Sequence, residues 1–199
     1  MLKDDRTAII DLLRSSARRS ASADHPVEIY KRLYTDHLRG GKFNIDRFLA
    51  LLDFKATVEW LEQEGIDGFL NPKERTLTIN IFNVDFSKAF LIGYWLLYDI
   101  KNTVTKVNER FVPYMLKEKE QIAHHQLTLF ARSLLLPAVV IKKEVDAFLK
   151  GEDLKELDEH NVYNFINMYT KKTNISDFEI MKRLRQLNYI KVWVRRKSK

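Results

Sequence analysis

The chain has no cysteine, which excludes disulfides and thiolate metal sites and fits a reducing compartment. Long apolar runs are also missing. The most apolar windows, AFLIGYWLLY (89–98) and LLLPAVVI (134–141), are too short to cross a membrane. The opening MLKDDRTAIIDLLRSSARRS is interrupted by charge every few positions and does not read as a signal peptide. The expectation is a cytoplasmic protein with no membrane association. There is no G-x-S-x-G element and no internal repeat, and DHLRGGKFN carries Gly40, Gly41 and Lys42 without the spacing of a phosphate-binding loop.

What is present describes a globular protein. Of 199 residues, 45% are hydrophobic, 31% charged and 12% aromatic, a balance that supplies a core and excludes disorder. The formal net charge of +7 is unevenly placed. Residues 171–199 hold ten Lys or Arg against Asp177 and Glu179, a net of +8, which leaves the rest of the chain at about −1. An electrostatic partner would therefore meet the C-terminal end.

Hydrophobic periodicity gives a coarse order of elements. TAIIDLLRSSARR and HPVEIYKRLYTDHL read as helices joined by the turn SASADHP, and RGGKFN breaks the chain at Gly40 and Gly41. NIDRFLALLDFKATVEWLEQEG reads as one amphipathic helix from an Asn44 cap to a stop at Gly65. IDGFLNPKERTLTINIF alternates around the turn NPKER and predicts a β-hairpin. Residues 85–100 predict a helix apolar nearly all round, hence buried. A further helix runs from about Lys117 to Leu136 and stops at Pro137. After the polar stretch LKGEDLKELDEH, which includes the acid pair Asp158 and Glu159, NVYNFINMY is a short helix. Ser176 and Glu179 then open a second one as an S-x-x-E capping box, and IKVWVRR reads as a strand. The predicted fold class is α+β, predominantly helical with a small β-sheet. The division is 1–43 an N-terminal helical extension, 44–148 a core, and 149–199 a basic helical part in the order of a helix-turn-helix with a wing.

A zinc peptidase of the HExxH type needs histidines one helical turn apart, so that both imidazoles face one ion, with a glutamate beside the first. The buried helix has that frame without those residues. Hairpin, buried helix and a later helix ending in FARSLLLP resemble, in that order, the ImmA/IrrE family of metallopeptidases associated with phages and mobile elements. The family helix has the form F-x-x-A-H-E-x-G-H-x-L-L. Here FSKAFLIGYWLL keeps Phe86, Ala89, Gly93, Leu96 and Leu97, but Phe90 and Tyr94 stand at the two histidines and Leu91 at the catalytic glutamate. The family's second motif, E-A-x-x-F-A-x-x-L-L-x-P, is matched by QLTLFARSLLLP at Phe130, Ala131, Leu134, Leu135 and Pro137, with Gln126 at the third metal ligand. NISDFEIMKRLRQLNYI is similar to the family's segment V-S-x-x-A-x-x-x-R-L-x-x-L-G.

The resemblance implies a degenerate zincin-like core. Phe and Leu offer no lone pair, Gln is a weak neutral ligand, and a Tyr ligand must lose a proton from a group of pKa about 10. The expectation is a pseudo-peptidase with no catalytic residue, no metal and no cofactor. Family members act on helix-turn-helix repressors, so the implied function is protein binding to a repressor or other regulator of a phage or mobile element, of antirepressor or immunity type. Two alternatives remain open at this point. One is a DNA-binding regulator using Lys182, Arg183, Arg185, Arg195, Arg196, Lys197 and Lys199, whose binding would weaken steeply with salt. The other is a hydrolase with a relocated metal at His124 and His125, although adjacent helical side chains point about 100° apart.

Overall fold

The computed structural model describes residues 38–39, 42–61, 68–81, 84–98, 105–107 and 118–190, together with Thr7, Ile10, Asp11, Arg14 and Ser15. Those five N-terminal residues are helical where a helix is expected. Apart from Leu38, the rest of the expected N-terminal pair, the turn SASADHP, the proposed stop at Gly65 and, after Ile190, the strand IKVWVRR lie outside the described residues. The chain divides into two compact units, Met1–Pro137 and Ala138–Lys199. The fold is α+β.

In the first unit, β1 (Leu38–Arg39) and β2 (Lys42–Phe43) pair antiparallel, so the end of the segment HPVEIYKRLYTDHL is strand rather than helix. Helix α1 (Ile45–Leu51) starts where Asn44 accepts a bond from the Arg47 amide at 3.1 Å. It does not continue to residue 65. Asp53 adopts φ 60°, the Phe54 amide bonds the Leu49 carbonyl at 2.9 Å, and the Asp53 amide bonds that of Ala50 at 3.2 Å. This is a Schellman stop with aspartate at the left-handed position usually given to glycine. The following residues form β3 (Lys55–Glu59), where Thr57 and Val58 are β-branched and favour a pleated strand. Over residues 44–59 the single-helix expectation is therefore corrected to helix, turn and strand.

The hairpin forms as expected from β4 (Gly68–Asn71) and β5 (Thr76–Asn80). Its turn is closed by the Asn71 side chain, which accepts from the Glu74 amide at 3.2 Å. A short strand β6 (Thr105–Val107), unread in the sequence, pairs antiparallel with β4. The sheet runs β3-β5-β4-β6, with β3 parallel to β5 and the other pairs antiparallel. Leu70, Leu77 and Ile79 are buried, and α2 (Val84–Tyr98) packs on β4 and β5. Helix α3 (Glu118–Leu135) covers the other side of α2. Phe54 and Trp95 meet edge-on at 5.1 Å. The Arg75 guanidinium lies 4.7 Å from the Trp95 ring centroid and donates to the Leu52 carbonyl at 3.1 Å.

The second unit contains α4 (Ala138–Gly151), α5 (Val162–Thr173) and α6 (Asp177–Gln186). Helix α4 was not separated in the sequence, because Pro137 reads as a stop although the chain turns there and resumes. The α4 helix also ends without glycine at the left-handed position: Asp153 has φ 54° and the Leu154 amide bonds the Leu149 carbonyl at 2.8 Å. Asp158 closes the turn that leads into α5, whose N-cap residue is Asn161. Asp158 Oδ1 accepts from the amides of His160 and Asn161 at 2.8 and 3.0 Å, and Asn161 accepts in turn from the Asp158 amide. Those amide bonds hold the Asp158 carboxyl below its usual range. The core gathers Val145, Phe165, Ile166, Tyr169, Ile180 and Leu184, with Phe165 stacked on Tyr169 at 5.5 Å. Burial, with the Glu144 carboxylate nearby, raises the pKa of the Tyr169 phenol.

Ser176 caps α6 as the S-x-x-E pattern predicts, accepting from the Glu179 amide at 3.4 Å. Ser176→Ala is expected to lower stability by about 1 kcal/mol, read as a shift of the urea midpoint at unchanged slope.

Candidate functional site

The site is built on α2. It follows the hairpin in the chain and packs across β4 and β5, with α3 against it. Helix α2 is buried over most of its length because most side chains from Phe86 to Leu97 are apolar.

Phe86, Phe90 and Tyr94 recur at one turn and line up on one side, with ring centroids 6.2 and 6.1 Å apart. The Phe90 ring also meets the His124 imidazole of α3 at 5.4 Å. Leu91 faces the sheet. A Cβ placed on Gly68 of β4 would stand 2.9 Å from Leu91 Cδ1 and 2.6 Å from the Thr78 carbonyl oxygen, so only glycine lets β4 approach this closely. Gly93 plays the same part toward α3, where a Cβ would lie 2.8 Å from Phe130 Cδ1 and 3.3 Å from Leu127 Cδ2. The frame residues Gly93, Phe130, Leu134 and Leu135 are thus packing residues between the two helices or in the core.

The four positions where the resembled family would hold ligands and acid are placed as follows. Phe90 is 1% and Leu91 0% exposed. Tyr94 is half-buried at the end of the aromatic string. Gln126 is half-buried on α3, one turn before Phe130. The two histidines of the relocated-metal alternative part company: His124 packs on Phe90, while His125 is exposed. Among the described residues no group of three or more His, Asp or Glu side chains is gathered where a metal ion could sit. In chemical terms this region offers apolar surface, one phenol and one imidazole.

One charged contact near the site was not anticipated. Lys88 lies on α2 two residues before Phe90, is largely buried, and reaches Asp46 Oδ1 of α1 at 2.6 Å. A buried ammonium needs such a partner. The only sequence signal is a lysine in an otherwise apolar run. At the other end of α2, the Arg14 guanidinium lies 5.0 Å from the Trp95 ring.

The basic candidates at the C-terminal end are divided by burial. Lys182 and Arg185 are exposed on α6, and Lys182 Nζ sits 5.2 Å over the exposed Phe178 ring. Arg183 is 0% exposed and has no surface to offer a phosphate. It shares the inward stripe of α6 with Glu179, Ile180 and Leu184, and that spacing was the available signal. Arg195, Arg196, Lys197 and Lys199 lie outside the described residues. Among those residues, no helix is long and apolar enough to cross a membrane.

No protein-family model matches this chain, and no curated protein does.

Proposed function

We propose that this protein is a non-catalytic relative of the ImmA/IrrE metallopeptidases and acts by binding another protein, a helix-turn-helix repressor or similar regulator of a phage or mobile element. The observation that carries this reading is the packing at the degenerate positions. Leu91 lies against Gly68, and Phe90 between Phe86, Tyr94 and His124. Aromatic and aliphatic side chains close a volume that would otherwise hold an ion and its charged ligands, and none of them leaves a charge without a partner. A scaffold kept in this form retains its outer surface, and that surface is what a repressor would meet. In this role the protein works as an antirepressor or an immunity factor, in the cytoplasm and without a cofactor.

The test is purification of the full chain from its native host after mild crosslinking, with the captured proteins identified by mass spectrometry. A DNA-binding regulator recovered at near-equal amount supports the proposal. Recovery of duplex DNA alone, released by salt and lost when Lys182 and Arg185 are both reversed in charge, would support the DNA-binding alternative instead.

A further inference from the structure

The sheet has an edge that the site does not use. Strand β3 is the first strand in the order β3-β5-β4-β6, and among the described residues it pairs on one side only. The Lys55 amide bonds the Arg75 carbonyl at 2.9 Å, toward β5. Backbone groups alternate along a strand, so Lys55, Thr57 and Glu59 direct their amides and carbonyls inward, and Ala56 and Val58 direct theirs outward. The outward groups form a short template for another strand.

The side chains on this edge are self-complementary. Lys55 and Glu59 are equidistant from Thr57, carry opposite charge, and are both exposed. In an antiparallel pair centred on Thr57, Lys55 of one copy stands opposite Glu59 of the other at both ends. Ala56 and Val58 exchange their outward hydrogen bonds with Val58 and Ala56 of the second copy. The Lys55–Glu59 positions are then non-hydrogen-bonded pairs, where facing side chains come closest. A parallel arrangement would set Lys55 against Lys55 and Glu59 against Glu59, and like charges oppose pairing. The same edge exposes apolar surface. Val58 pairs in register with Ile79 on the face covered by α2, yet is 47% exposed, and two positions further along, just past the strand ends, Trp60 and Ile81 are 64% and 44% exposed. A two-fold axis through Thr57 brings two such patches into one continuous sheet.

We propose that β3 is a homodimer interface, in which two copies of this chain pair antiparallel about Thr57 and join their sheets edge to edge. This goes beyond the functional reading above and does not depend on it.

The experiment is sedimentation equilibrium of the full chain over a range of concentrations. Wild type is expected to show a monomer–dimer equilibrium. Lys55→Glu alone, and Glu59→Lys alone, each place like charges at both ends and are expected to weaken the dimer about tenfold or more. The double variant K55E/E59K restores opposite pairs and is expected to return the dissociation constant to near wild type. Both residues are exposed, so folding is retained, and far-ultraviolet circular dichroism verifies it for each variant. A monomer at every concentration overturns the proposal. So does a dimer indifferent to the single reversals, or a double variant as weak as the singles. A monomer that binds a strand of a different protein at this edge also overturns self-pairing.

Discussion

Leu91→Glu is expected to destabilise the protein by about 3–5 kcal/mol, the cost of leaving an uncompensated charge in an interior. In the resembled family, glutamate is the residue that stands at this point of the helix. Here Leu91 is fully buried, with Cδ1 against the only residue type that β4 could place there. A carboxylate at the same position would stand in that buried environment. Burial would raise its folded-state pKa above its unfolded value. A carboxylate so shifted weakens folding as pH rises, so the defect should be smaller in acid than at neutral pH. Urea denaturation at the two conditions reads both effects. A loss within about 0.5 kcal/mol, the range of an ordinary surface change, would mean that this position opens to solvent and that the site is not filled.

Arg183→Ala should be nearly as damaging, again by about 3–5 kcal/mol, although arginine is a surface residue in most proteins. Its guanidinium is fully buried, and Glu179, one turn earlier on the same stripe, is 5% exposed. Removing the side chain opens a void where the arginine stem packed and takes a guanidinium away from buried surroundings that water reaches poorly. Lys182→Ala and Arg185→Ala, on the exposed face, are expected to stay within about 0.5 kcal/mol of wild type. The contrast is measured by thermal or urea unfolding of the three variants. It also bears on the DNA-binding alternative, because lost binding in an Arg183 variant would report unfolding rather than a missing phosphate contact. Equal, small effects at all three positions would overturn this reading of α6.

Much of this architecture is visible in the sequence where local signals agree with the final environment. The hairpin combines alternation with a turn, α3 ends at a proline, α6 opens on a serine cap, and α2 stands out as a helix-length apolar stretch. The failures have physical causes. Residues 44–65 carry apolar spacing that suits a helix, but the left-handed turn at Asp53 and the β-branched Thr57–Val58 pair end it. Glycine is the usual marker of such stops, and this chain has only six. Left-handed positions at Asp53, Asp153, Asn174 and Asn188 are taken by Asp and Asn instead, so several element boundaries carry weak local marks. Strand β6 is too short to show alternation. At the site, the absence of metal-binding side chains at 90, 91 and 94 is legible from the residues alone. That the Phe90 ring meets His124 while His125 is exposed depends on how α2 and α3 pack. Burial of Arg183 lies between these cases: composition hides it, whereas its place beside Ile180 and Leu184 reveals it.

The most direct measurement is the metal content of the full chain, purified without chelator and assayed by inductively coupled plasma mass spectrometry. The expected result is zinc far below one equivalent per chain, and unfolding curves that do not change when zinc or a chelator is added. One zinc per chain, held through gel filtration and stabilising the fold, would contradict the filled-site account and move the search to His124, His125 and their neighbours.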